Sequence, residues 1–196
     1  MPEPEGYGRK VFASGNSFNP NTRWNTTGKT ITAVSDDGES EGFCFAMTCY
    51  WIKLALQHGI EGSSRVLDGR ALLHISIVQS GYLRLRRTFT GAPGRSKDLL
   101  VYQQSGLKLV WQKKVDEAMQ NLQGMQGQKL ACFEIGLPEH SVGMILDRPS
   151  NKLFYFDPNY GLFEYGPEGL RDVMIHWYYE YGLNEKELEF ACVTLG

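Results

Sequence analysis

Residues 44–58 constrain the fold most strongly. Met47, Trp51 and Leu54 recur at helical spacing on one side, and Phe45, Cys49, Ile52 and Leu56 mark a second apolar stripe. A helix that is apolar on two sides does not rest on a surface, because one stripe would stay in water; it runs through the middle of a domain. Gly59 supplies its stop. The chain has 196 residues, one domain's worth by the usual range of about 100–200. At that size folding buries roughly 70% of the surface the unfolded chain exposes, so neither metal nor disulfide is needed to hold a core.

The elements that must surround this helix come in a definite order. Leu67, Ala71, Leu72, Ile75 and Val78 predict a second helix over 66–80, ending at Gly81. From Tyr82 to Lys97 the chain carries Arg84, Arg86, Arg87, Arg95 and Lys97 around Gly91-Ala-Pro-Gly94 and reads as a loop. Its arginines are either a solvated face or a contact for an acidic substrate or an anionic membrane. A third helix is expected from about 107 to 123. Lys129–Ile135, Ser141–Asp147, Lys152–Asp157 and Glu189–Thr194 are short β-favouring segments, with a fourth helix, Glu168–Tyr181, opened by Gly-Pro-Glu and closed by Gly182. Helices first and antiparallel strands after define an α+β class, not the βαβ alternation of a Rossmann sheet. Upstream, 13–40 is rich in Asn, Ser, Thr and Gly, which favour turns, so 1–40 reads as an extended or mobile leader with at most one short strand, Thr30–Val34. It ends in an acidic patch, Asp36, Asp37, Glu39 and Glu41, expected to be a solvated loop.

Composition removes several function classes. Lys plus Arg number 20 against 22 Asp plus Glu, so the basic excess of a general nucleic-acid binder is missing. Apolar runs fall far short of the ~18 residues of a membrane span. The four cysteines, at 44, 49, 132 and 192, are too sparse for a disulfide scaffold. With no CxxC or HxxxH pair, neither a zinc site nor any other cofactor is expected. The first residues, Met1-Pro-Glu-Pro-Glu-Gly, lack the basic and apolar regions of a Sec-type signal peptide.

Two segments carry chemistry. At the entry to the first helix, Gly42-Phe-Cys44, a first-turn cysteine has unpaired backbone N–H groups around it and the positive end of the helix dipole behind it; both favour thiolate, the nucleophilic form. Gly42 lets backbone approach a substrate closely. The competing reading is packing, since free cysteine is among the most buried residue types. Cys49 lies about 140° round the helix and so belongs to the core, as do Cys132 and Cys192 within strand patterns. The second segment runs from His140 to Gly161. Arg148-Pro-Ser-Asn151 is a turn-forming set between two β-patterned runs, so a hairpin is expected. A turn centred between Arg148 and Pro149 opposes His140 to Asp157, Val142 to Tyr155 and Met144 to Leu153. Directly opposed residues share a face with Cβ atoms roughly 5 Å apart, which suits an imidazole–carboxylate hydrogen bond. Such a pair fixes the imidazole tautomer and leaves the other ring nitrogen for a nucleophile, although a strand histidine satisfied by a neighbouring acid is also a common structural feature. His58 closes a helix where a cation is favoured, and His74 and His176 fall in apolar helix patterns as packing residues.

Together, Gly42-x-Cys44-x-Ala-Met-Thr-x-x-Trp51, a histidine at 140 before a hairpin, and Phe156-Asp-Pro-Asn-Tyr-Gly161 resemble the YopT/AvrPphB-type cysteine proteases. These are papain-like enzymes that bacterial pathogens and symbionts deliver into other cells as effectors and toxins. The resemblance implies a papain-like fold over 41–196, with a central helix carrying the nucleophile packed on an antiparallel sheet carrying His and Asp. It implies Cys44 as nucleophile, His140 as general base and acid, and Asp157 as the acid that orients it. The partners implied are a protein or peptide substrate of a target cell and a cognate inhibitor or chaperone, with no nucleic acid. The implied location is the target-cell cytoplasm, reached without a Sec signal; a resident cytoplasmic enzyme is the alternative. The chain departs from the pattern before the nucleophile, where 36–41 lack the usual Asn or Gln that helps bind the oxyanion. The Cys44 N–H remains as one donor, and Ser40, Asn16 or Asn25 are candidates for the second. The same triad also serves glutamine deamidation, transglutamination or peptidoglycan amide cleavage, and the missing amide also suits a binding module on a degenerate protease fold.

Overall fold

A computed structural model describes residues 9–12, 24–25, 30–31, 33–34, 40–41, 44–63, 66, 71–88, 102–124, 128–137, 140–166, 169–182 and 188–196. Its elements are β1 (Arg9–Phe12), β2 (Trp24–Asn25), β3 (Thr30–Ile31), β4 (Ala33–Val34), β5 (Ser40–Glu41), α1 (Cys44–Gly62), α2 (Ala71–Thr88), β6 (Leu107–Lys114), α3 (Val115–Gly124), β7 (Leu130–Leu137), β8 (His140–Asp147), β9 (Lys152–Asp157), β10 (Gly161–Tyr165), α4 (Gly169–Tyr181) and β11 (Glu189–Leu195). A sheet in the order β1-β10-β9-β8-β7-β11-β6 forms the frame, and its pairings are antiparallel. β7 through β10 follow one another as a meander. The segment expected as a leader with at most one short strand, Thr30–Val34, instead contributes several: β2 pairs with β3, β4 pairs with β5, and β1 joins the main sheet beside β10.

Both faces of the sheet are covered, so its strands are apolar on both sides. Cys132, Ile145, Phe154, Phe156 and Val193 face α1 and α2, together with Phe45, Met47, Trp51 and Ile52. Phe133, Ile135, Val142, Met144, Leu153 and Tyr155 face the other way, against Ala118 of α3 and Val173 and Trp177 of α4. Each large side chain buried in this way contributes about 1.5–3 kcal/mol. The two apolar stripes of α1 are buried as its periodicity predicts: Phe45–Cys49, Trp51, Ile52, Leu54 and Ala55 lie inside. Gly59, at φ 74° and ψ 173°, is non-helical and breaks the helix as expected, with a short helical stretch following to Gly62.

Three further expectations need correction. Residues 107–114 form a strand, with the helix starting only at Val115. Opposite β11 the register slips between Cys192 and Val193, where Trp111 and Leu109 are successive partners, so Val110 is an extra residue, 52% exposed. That bulge puts Leu107 and Leu109 against the α1 core and Trp111 against the opposite one, which spoils strict alternation and imitates a helical spacing. Second, α2 begins at Ala71 and runs through Gly81 to Thr88, so the arginines at 84, 86 and 87 are helical and Arg84 is exposed. A Cβ on Gly81 would meet Gln104 Oε1 at 2.5 Å, the far end of an exposed side chain that can move aside, and a single glycine inside a helix does not by itself stop it. Residues 89–101, with Arg95 and Lys97, lie outside the described set. Third, β10 over 161–165 was not expected as a strand.

One glycine decides where α1 sits. In the middle of β8, a Cβ on Gly143 would lie 2.7 Å from the Trp51 ring and 3.2 Å from Thr48 Cγ2. The indole covers this bare backbone and stacks on Phe156, the Gly143 partner in β9, with centroids 5.2 Å apart. Gly143→Ala is therefore expected to cost about 1–3 kcal/mol by overpacking, read by urea denaturation. Gly136→Ala in β7, where a Cβ meets nothing within 4 Å, is the control and should leave stability within about 0.5 kcal/mol. Equal losses at both positions would show that α1 does not rest on Gly143.

Candidate functional site

The site is built at one end of the sheet. His140 is the first residue of β8 and Asp157 the last of its antiparallel neighbour β9, so both stand at the same edge. The hairpin between them pairs Asp147 with Lys152 and Met144 with Tyr155. Its turn is centred between Pro149 and Ser150, one residue beyond the expected centre, so every pairing moves by two residues. His140 and Asp157 are thus diagonal neighbours rather than directly opposed. A shift of two keeps each side chain on its face, whereas a shift of one would have separated them. The diagonal distance, about 7–8 Å between backbones, is within reach of an imidazole and a carboxylate. His140 Nε2–H donates to Asp157 Oδ1 at 3.0 Å, with both side chains buried.

Asp157 is held from two more directions. The Asn159 backbone N–H donates to Oδ1 at 2.8 Å and the Tyr155 hydroxyl to Oδ2 at 3.0 Å. Tyr155 in turn accepts from Trp177 Nε1 of α4 at 3.1 Å. Asp157 is fully buried, and a carboxylate in that position needs these donors to replace lost water.

Cys44 comes from the other face of the sheet. It opens α1, and three residues along one helix face meet three along β8: Cys44 interacts with His140, Thr48 Oγ1 donates to the Ser141 carbonyl at 3.1 Å, and Trp51 lies on Gly143. Seven helical residues rise about 10.5 Å and three strand residues about 10 Å, so the two repeats match. With Nε2 committed to Asp157, Nδ1 is the ring atom left for the thiol. Burial alone disfavours a charged ring and pushes the His140 pKa down. The hydrogen bond and charge of Asp157, followed by those of Cys44, outweigh it and raise the pKa from 6.5 to about 10. Among the four cysteines Cys44 alone is partly exposed. Cys49 is buried, with its pKa raised first by that burial and then by the charge of Glu134. Burial likewise raises the Cys132 and Cys192 thiols to about 12.

The remaining candidates fall elsewhere. His58 is exposed before the α1 kink, and His74 packs on the Tyr50 ring at 5.0 Å, its pKa lowered by burial and then by Lys53. Asn16, Asp36, Asp37 and Glu39 are outside the described residues, as are the side chains of Ser40, Asn25, Glu41 and His176. Among the described residues no cluster of His, Cys, Asp and Glu could hold a metal, and no helix is long and apolar enough to cross a membrane.

Sequence reasoning missed three supports. Gly143, a glycine inside a strand, signals close backbone approach. Glu134, a charge within apolar β7, is buried opposite Gly143 and accepts from Tyr102 Oη at 2.6 Å and Ser141 Oγ at 2.7 Å, tying down the residue after His140. Gln79 of α2 is buried with its Oε1 on the Ala46 backbone N–H at 3.0 Å; nothing in its sequence neighbourhood marks it.

No family profile matches the chain, and no curated protein matches it in sequence. Solved structures do. The Pseudomonas avirulence protein AvrPphB superposes with a TM-score of 0.55 at 13% identity, covering 78% of this chain and 92% of its own. PatoxP, a cysteine protease-like domain of the Photorhabdus asymbiotica toxin PaTox, aligns at TM-score 0.44 and 10% identity over 78% of this chain and 48% of that one. The ubiquitin-specific protease of murine cytomegalovirus tegument protein M48 aligns at 0.48 and 12%, over 77% and 75%. The AvrPphB likeness establishes the fold: this is the α+β, papain-like cysteine protease architecture.

The His140–Asp157 pair makes stability depend on pH in a definite sense. A pKa raised above the ordinary 6.5 means that the protonated ring stabilises the fold fully below that pH, and that this contribution fades as pH rises through about 10. Asp157→Asn removes its main source. The stability gap between variant and wild type, from urea denaturation in reducing buffer, should be largest near pH 6 and narrow toward pH 10. A gap that widened with pH would mean that the folded ring is neutral.

Proposed function

We propose that this chain, with its papain-like fold, is a cysteine protease acting on protein substrates through Cys44, His140 and Asp157. The reading is carried by one observation: an accessible cysteine at a helix N-terminus shares a histidine with a buried aspartate, although the three lie on separate elements. A thiolate–imidazolium pair is the working state of such sites. Cys44 Sγ attacks the scissile carbonyl and the protonated His140 gives its proton to the leaving amine. Water then attacks the thioester with His140 as base. Asp157 keeps Nε2–H engaged, so Nδ1 faces the chemistry at both steps. The likeness to an avirulence protein supports the further reading that the enzyme is a delivered bacterial effector working in a target cell.

Two measurements test this. The first follows cleavage of a labelled, unfolded protein such as casein, with the products weighed. Cys44→Ala and His140→Ala should each reduce cleavage by at least about 10³, and Asp157→Ala by at least about 10², values within the range for such groups. Cys49→Ala should remain within a few-fold of wild type. An uncut product one dalton heavier would replace the protease by a deamidase. The second is alkylation by iodoacetamide: Cys44 should react ahead of the three buried thiols, and more slowly in His140→Ala. A reaction indifferent to His140 would point to a binding module instead.

A further inference from the structure

A thiol hydrolase needs donors for the oxyanion that forms when sulfur adds to a carbonyl, and the segment before Cys44 offers no side-chain amide. Gln79 brings one from a different direction. It lies on α2, in the turn before Tyr82, whose ring stacks on Phe45 at 4.3 Å beside the nucleophile. It is a primary amide only 2% exposed. Its Oε1 accepts the Ala46 N–H at 3.0 Å. Ala46 is the third residue of α1, the position whose free N–H a capping side chain usually takes. A backbone N–H only donates, so the atom it meets must be the carbonyl oxygen, and the other end of the planar group is the NH₂ donor. No hydrogen bond of that Nε2 occurs among the described residues, although nearly the whole side chain is out of water. Nε2 is not sealed among the fully buried atoms without a partner, so this donor is both unspent within the described residues and open to an incoming group, and it is held against the first turn that opens with Cys44.

We infer that Gln79 is the side-chain oxyanion donor of this site, acting with the Cys44 backbone N–H. The inference rests on the thiol-hydrolase reading above. In the step it serves, Cys44 Sγ forms a bond to the carbonyl carbon and the C=O π pair moves onto oxygen. Gln79 Nε2–H and Cys44 N–H donate to that oxygen. When the pair returns, the C–N bond breaks and the amine leaves with the His140 proton. Gln79 thus has two functions in one group: Oε1 fixes the helix start, and Nε2 meets the charge that develops next to it.

Gln79→Glu separates these functions, because a carboxylate still accepts from Ala46 N–H but donates nothing. Two reagents that attack the same sulfur supply the readout. Iodoacetamide reacts by displacement, with no oxyanion; p-nitrophenyl acetate reacts through a tetrahedral oxyanion and leaves an acetyl group on Cys44 while releasing nitrophenolate. Rates are taken at the alkaline plateau of each variant's pH profile, where the ionised fraction of the thiol no longer matters. Gln79→Glu should keep alkylation within about twofold while acetylation falls by roughly 10²–10³, the usual cost of one donor. Gln79→Met, which loses both functions, should lose acetylation by at least as much. Unchanged acetylation in both variants, or equal falls in both reactions, would overturn the assignment and leave Gln79 as a helix cap. On the acidic limb of the same profiles, below pH 7, a wild-type Cys44 alkylated no faster than in His140→Ala would instead overturn the hydrolase reading beneath it, a separate outcome.

Discussion

The contact between one face of α1 and the first four residues of β8 is the constraint on which the site depends. Helix and strand advance at different rates, and matching seven residues to three aligns Cys44 with His140, Thr48 with Ser141 and Trp51 with Gly143. Gly143 makes this possible, since any side chain there would lift the indole away. Glu134 and Tyr102 then hold Ser141 from the side, so the strand start is fixed by polar contacts and the helix by packing. Cys44 is positioned by a surface that closes two turns away from it.

The second dependence is on satisfied polarity. Asp157 is wholly buried, and its charge survives there because His140, Asn159 N–H and Tyr155 all donate to it. Trp177 completes the set by donating to Tyr155, which links α4, on the far face of the sheet, to the histidine. Burial works against a charged imidazole, and the carboxylate beside it more than offsets that penalty. Loss of any one donor leaves a buried acceptor short, so the chain from Trp177 to His140 behaves as a unit.

Much of this was legible from residues. The two apolar stripes of α1 require burial on both sides, and the structure gives it. The first-turn cysteine and the His140–Asp157 pairing followed from spacing, and the pairing survived an error in turn position because strand side chains repeat every two residues. Where reading failed, a tertiary contact had overridden a local pattern. The bulge at Val110 disguised β6 as helix, and Gly81 looked like a stop although the helix runs on through it to Thr88.

The sequence by itself determined which residue types are present and which face of each element they occupy, because periodicity is a property of the local backbone. It determined a buried helix headed by a cysteine, and a histidine and an aspartate on one face of a hairpin. Only the tertiary structure decided that these stand at the same end of the sheet, that Gly143 lets helix and strand close on one another, and that Gln79 and Trp177 approach from elements distant in the chain. Such contacts depend on how packed surfaces fit, which no local pattern encodes.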